Sequence, residues 1–143
     1  AIWNCPEDNM KSGNFFRIPL SEPAMKIINS QKKHSRGEYI FGHEQTGKMS
    51  SNNCMLYTIY RMGYKGKVTT HGMRSTMRDW AGETTKYSER IVEVCLDHTV
   101  NTAAEAAYQR GDYLAKRREI MDGWGRFCFP AGNKVVQLQG RIL

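Results

Sequence analysis

Thr70-His71-Gly72-Met73-Arg74-Ser75-Thr76-Met77-Arg78-Asp79-Trp80-Ala81-Gly82 reads as one amphipathic helix. Thr70 can cap a helix beginning at His71. Met73, Met77, Trp80 and Ala81 supply apolar positions, and Gly82 marks a weak end. His71 and Arg74 stand three apart, so both polar side chains share a face. His71 then lies in the first turn, where free backbone N–H groups favour an anion, and Arg74 adds a planar fork suited to phosphate oxygens. The plainer alternative is a histidine packed under a loop and an arginine in a surface ion pair.

Outward from this helix, the downstream chain reads as further helices. Ser88 can cap one that carries Ile91, Val92, Val94, Cys95 and Leu96. Another begins at Asn101 or Thr102 and includes Ala103, Ala106, Ala107 and Tyr108. Asp112 caps the last, with Leu114, Ile120, Met121, Trp124 and Phe127 pointing inward and Pro130 as the stop. Beyond it Val135–Leu138 could form a strand. Upstream, a helix runs from Ser51 to near Gly63, and Ser21 opens one with Ala24, Ile27 and Ile28 on its apolar face. Residues 31–38 read as a basic linker, and Tyr39-Ile40-Phe41 as a short apolar segment. The first residues read as sheet: Ala1–Pro6 and Phe15–Leu20 pair across a turn at Lys11-Ser12-Gly13-Asn14, whose tip should be mobile. The predicted class is α+β, mainly α: a small N-terminal antiparallel hairpin followed by helices.

The chain has 143 residues, enough for one domain with a real core. Lys plus Arg is 21 against 14 Asp plus Glu, a formal charge of +7. With a pI near 9.4, that balance points to a polyanionic partner, nucleic acid first. No apolar run approaches the roughly 20 residues of a spanning helix, and no signal peptide is visible. The expected location is therefore the cytoplasm. Cys5, Cys54, Cys95 and Cys128 are too widely spaced for a zinc knuckle, and the composition is not that of a disulfide scaffold.

Three clusters could carry chemistry. Lys11 on the hairpin tip can reach a phosphate or donate a proton, or be a solvated turn lysine. His71 and Arg74 form the second cluster. His98, with Tyr108 beyond it, is the third: histidine can hydrogen-bond a phosphate oxygen or shuttle a proton, and tyrosine can be a nucleophile when its proton is taken or its phenolate stabilised. Tyr108 reads equally as a half-buried structural tyrosine. Arg110, Lys116, Arg117 and Arg118 either contact backbone phosphates or form a solvated helix face. Asp79 and Glu83 lack the further carboxylates of a two-metal site, and Gly42–Lys48 has the wrong spacing for a phosphate loop.

Four motifs in order resemble the catalytic domain of the tyrosine recombinases, specifically phage-type integrases. They are Met10-Lys11-Ser12-Gly13 before Arg17-Ile18-Pro19-Leu20; Thr70-His71-Gly72-Met73-Arg74 before Trp80-Ala81; Cys95-Leu96-Asp97-His98; and Ala107-Tyr108-Gln109-Arg110 with Tyr113-Leu114, Arg117-Arg118, Met121 and Trp124 beyond. The resemblance spans roughly residues 1–128. It implies that Tyr108 attacks a DNA phosphodiester to give a 3′-phosphotyrosyl link, that Arg74 and His71 hold the scissile phosphate, that His98 stabilises its non-bridging oxygens, and that Lys11 protonates the leaving 5′-oxygen. It implies no cofactor and no metal.

The family has another catalytic arginine upstream of the first hairpin, together with further DNA-binding domains. The resemblance therefore implies a partial catalytic domain over 1–130, a tail over 131–143, and a fragment inactive or very weak by itself. The parent would act on double-stranded DNA as a homo-tetramer in a bacterial host cell; the fragment could be monomeric. A non-catalytic DNA-binding fragment that keeps the integrase fold is the alternative. A structural or interaction protein with an incidental basic surface is the third reading.

Overall fold

The computed structural model describes residues 1–43, 45–98 and 111–130. Within them a two-stranded antiparallel hairpin is followed by five α-helices. Strand β1 (Ile2–Cys5) pairs with β2 (Phe16–Pro19) in the register Ile2 to Pro19 and Cys5 to Phe16. A 3-10 turn at Glu7–Asn9 and a left-handed Gly13 make the connection. Helix α1 spans Glu22–His34, α2 Cys54–Arg61, α3 Gly72–Thr84, α4 Glu89–Cys95 and α5 Leu114–Cys128. The predicted class, α+β and mainly α, is the observed one. The helix predicted from Asn101 or Thr102, the strand at Val135–Leu138 and the tail from 131 lie outside the described residues.

The core lies where α3, α4 and α5 meet. Met77, Trp80 and Ala81 of α3 follow the i, i+3, i+4 rule, and they bury against Ile91, Val92, Leu96 and Ile120. Trp80 stacks among Trp124, Phe127 and Tyr87, with ring centroids 5.3, 5.8 and 6.2 Å away. Two glycines of α5 permit close approaches. A Cβ at Gly123 would stand 3.2 Å from the Trp80 ring, and one at Gly125 would stand 2.6 Å from Ser21 Oγ and 2.8 Å from its Cβ. Gly125 is thus where the buried start of α1 rests on α5.

Several boundaries differ from the sequence reading. Helix α1 continues through residues 31–34, which read as linker: Lys32, Lys33 and His34 fill its last turn, where cations suit the carbonyl end. Helix α2 starts at Cys54 instead of Ser51 and buries only Ile59 among its own residues. Tyr39, Ile40 and Phe41 are exposed. The residue flanking α3 is His71, not Thr70, and it makes no side-chain capping bond; Thr69 Oγ1, just upstream, accepts the Gly72 N–H at 2.9 Å. Met73 is exposed, as is Phe127.

The basic run after residue 110 also needs correction at one position. Arg117 is 1% exposed and belongs to the inward stripe of α5, three residues before Ile120. Its Nη2 donates to the Arg17 carbonyl at 2.6 Å and its Nη1 to the Asp112 carbonyl at 3.4 Å, while the guanidinium lies 4.3 Å over the Phe16 ring. It ties the hairpin to α5, so it is neither a phosphate contact nor part of a solvated face. Beside it Arg17 and Asp112 form an ion pair at 2.9 Å, and Asp112 Oδ1 accepts the Leu114 N–H at 3.2 Å, although the residue flanking α5 is Tyr113, one position after the predicted cap.

Candidate active site

The first turns of α3 and the length and C-terminal turn of α4 enclose a cleft of about 670 Å³. His71, Arg74, Ser75 and Arg78 come from one side; Glu89, Arg90, Glu93, Leu96 and His98 come from the other. Three of the residues singled out in the sequence, His71, Arg74 and His98, therefore line a single cleft. Lys11 is exposed on the hairpin turn and is not among the lining residues. Tyr108 and Arg110 lie outside the described residues.

The end of α4 sets the geometry. Asp97 takes the left-handed conformation, φ 54°. Its N–H donates to the Val94 carbonyl at 3.2 Å, and the His98 N–H reaches back to the Glu93 carbonyl at 3.1 Å. This is the paired bonding that closes many helix C-termini, with an aspartate where glycine is usual. The turn fixes the His98 backbone against α4. The same turn receives Arg74, whose Nη2 donates to the Leu96 carbonyl. A guanidinium suits the carbonyl end of a helix, where unpaired oxygens carry partial negative charge.

Glu93 joins the two walls. It is only 9% exposed, Arg78 Nε faces its Oε1, and the Nδ1 of His98 hydrogen-bonds its Oε2. Arg78 also donates to Glu89 at 3.0 Å. Burial pushes the Glu93 carboxyl up, but the hydrogen bonds from His98 and Arg78 and the Arg78 charge outweigh it. The carboxyl is held below its ordinary value.

The sequence reading did not single out Arg78 or Glu93. Arg78 had a usable signal, since it stands four residues after Arg74 on the same helical face. Glu93 had none: its relation to His98 depends on the left-handed turn at Asp97. Chemically, the cleft gathers cationic and hydrogen-bond-donating side chains with partly compensated charge. Such a set suits an anionic oxygen group. Among the described residues no group of His, Cys, Asp and Glu has the arrangement of a metal site, and no helix is long and apolar enough to cross a membrane.

The chain is similar in sequence to known proteins. The chain is 29% identical over 138 residues to prophage integrase IntA of Escherichia coli K12, covering 95% of this chain and 33% of that protein. It is 32% identical over 126 residues to the integrase of Enterobacteria phage P4, covering 85% and 29%. Prophage integrase IntZ of Escherichia coli K12 is 29% identical over 125 residues, covering 87% and 31%. The chain thus spans about a third of the length of the curated relatives it matches. No protein-family model matches it, and no solved structure gives a significant match. By these identities, each covering most of the chain, the protein is a homologue of the integrases of phages and prophages.

Proposed function

We propose that this chain carries catalytic residues of a tyrosine recombinase that performs site-specific DNA recombination and integration. The supporting observation is the gathering of His71, Arg74 and His98 on one cleft from the start of α3 and the turn after α4. In this reading Tyr108 attacks a phosphodiester of double-stranded DNA. A 3′-phosphotyrosyl link forms as the bond to the 5′-oxygen breaks, and Lys11 supplies the proton that oxygen takes up. Arg74, His71 and His98 donate to the phosphate oxygens as negative charge gathers on them, the kind of stabilisation that is strongest in a preorganised site. The covalent link keeps the bond energy for religation. Residues 1–130 then form part of a catalytic domain and 131–143 its tail. The whole enzyme is a longer, cytoplasmic protein that works as a homo-tetramer on two duplexes.

A nicked duplex that traps the intermediate tests this reading. The longer parent should retain labelled DNA through denaturing electrophoresis. Tyr108→Phe should abolish the adduct and Tyr113→Phe should keep it. Tyr113 packs against the core at the start of α5 with φ 53°, a structural placement. An adduct that survives Tyr108→Phe refutes the choice of nucleophile. Duplex binding with no adduct in the parent favours the non-catalytic DNA-binding alternative.

A further inference from the structure

Glu93 is a buried carboxylate on the wall of the cleft that would hold a phosphate. Left uncompensated it would repel that anion and carry a desolvation cost of its own. Its two oxygens are engaged differently: Oε1 faces Arg78 Nε, and Oε2 meets His98 Nδ1. The His98 main chain is tied to the same residue, its N–H donating to the Glu93 carbonyl at 3.1 Å. Both the backbone and the ring of His98 are therefore referenced to Glu93. An ion pair serving only to join α3 to α4 would need no contact with the ring, and Arg78 already has Glu89 for that purpose at 3.0 Å.

We infer that Glu93 is a positioning residue for His98: it accepts the hydrogen bond from Nδ1 and leaves Nε2 for the phosphate, while Arg78 compensates the carboxylate charge. The inference rests on the cleft being a phosphate site. A ring that donates through Nδ1 to Glu93 and through Nε2 to a phosphate oxygen is an imidazolium, with both nitrogens protonated. Glu93 thus orients the ring by accepting at its Nδ1 end. Carboxylates that hold the far nitrogen of a metal-bound histidine orient it in the same way.

The test is nitrogen NMR on histidine-labelled, DNA-free protein, followed by titration with a short duplex. In the unaltered chain His98 Nδ1 should be protonated. Glu93→Gln should invert this. Arg78 can only donate, so it keeps the amide oxygen; the amide NH2 then faces His98, Nδ1 must accept, and the proton moves to Nε2. Glu89→Gln makes the same charge change on the same wall and should leave the His98 signals in place. Glu93→Asp withdraws the carboxylate by one methylene and should also loosen the Nδ1 bond, which gives a second reading if the Gln variant folds poorly. An unprotonated Nδ1 in the unaltered chain, or His98 signals unmoved by either substitution at Glu93, overturns the inference whatever the protein binds. If the Gln variant inverts the ring but duplex DNA leaves the His98 signals of the unaltered chain unchanged, the phosphate reading fails, and Glu93's role toward an anion fails with it.

Discussion

Replacing Arg117 by methionine separates two readings of the basic run in α5. On a solvated face, the change would alter stability by less than about 0.5 kcal/mol. In the structure Arg117 is 1% exposed and bonded to two main-chain carbonyls. The 2.6 Å bond from its charged Nη2 to the Arg17 carbonyl is of the kind worth about 1.5–3 kcal/mol. The guanidinium 4.3 Å over Phe16 adds about 0.5–2 kcal/mol. The 3.4 Å bond to the Asp112 carbonyl is long and adds little. Against these stands the cost of keeping a charge out of water with Nε unpartnered, which methionine does not incur. The methionine stem retains most of the packing. The net expectation is a loss of about 2–4 kcal/mol, the upper part of the range coming from the carbonyls left without a donor. Urea unfolding followed by tryptophan fluorescence should show this as a lower midpoint. With a slope of about 1–3 kcal/mol per molar, a loss of 3 kcal/mol moves the midpoint by about 1–3 M. A midpoint unchanged within error, accompanied by weaker DNA binding, would refute the structural role and restore the phosphate-contact reading.

Other expectations follow from particular contacts. Because the Glu93 carboxyl is held below its ordinary value of 4.5, its contribution to stability is complete above that value and is lost as pH falls through the lower folded one. Melting temperatures between about pH 7 and pH 3 should therefore fall more steeply in the unaltered chain than in Glu93→Gln, and parallel curves would contradict this. Gly125→Ala should destabilise: overpacking against Ser21 costs about 1–3 kcal/mol, and the gain in helix propensity of about 1 kcal/mol offsets only part of it. Ser21→Gly in the same chain should restore the midpoint, and a Gly125→Ala protein as stable as its parent would show that the contact yields freely. Duplex binding, motivated by the +7 charge, should have a dissociation constant of about 10⁻⁴ to 10⁻⁶ M near physiological salt and weaken steeply as salt rises; salt-independent binding would count against a phosphate-contacting surface.

Features that depend on near neighbours in the chain were readable from the residues alone. The hairpin was legible because two short apolar runs flank a glycine-containing turn. Helix α3 was legible because Met77, Trp80 and Ala81 recur at helical spacing, and α5 because Ile120, Met121 and Trp124 do. His71 and Arg74 could be put on one face because three residues make nearly one turn. Helix ends were less legible. Thr69 and Thr70 are chemically alike, and only the backbone path selects Thr69 as the acceptor of the Gly72 N–H. The run of lysines and histidine at 32–34 reads as linker by polarity, yet those residues prolong α1 because cations are favourable at a helix end.

Which charged residues are buried, and which share a site, depends on how the elements pack. Arg117 stands in the apolar stripe of α5, but its basic neighbours Lys116 and Arg118 concealed that until the hairpin carbonyls were brought against it. Arg74 meets the end of α4 because two helices cross there, not because of any local spacing. The contact of His98 with Glu93 needs a left-handed aspartate between them, a backbone state that local preference disfavours and that the closing hydrogen bonds of the helix stabilise. Patterns of polarity record which face of an element is wet. They do not record which two faces meet, and the cleft is a property of that meeting.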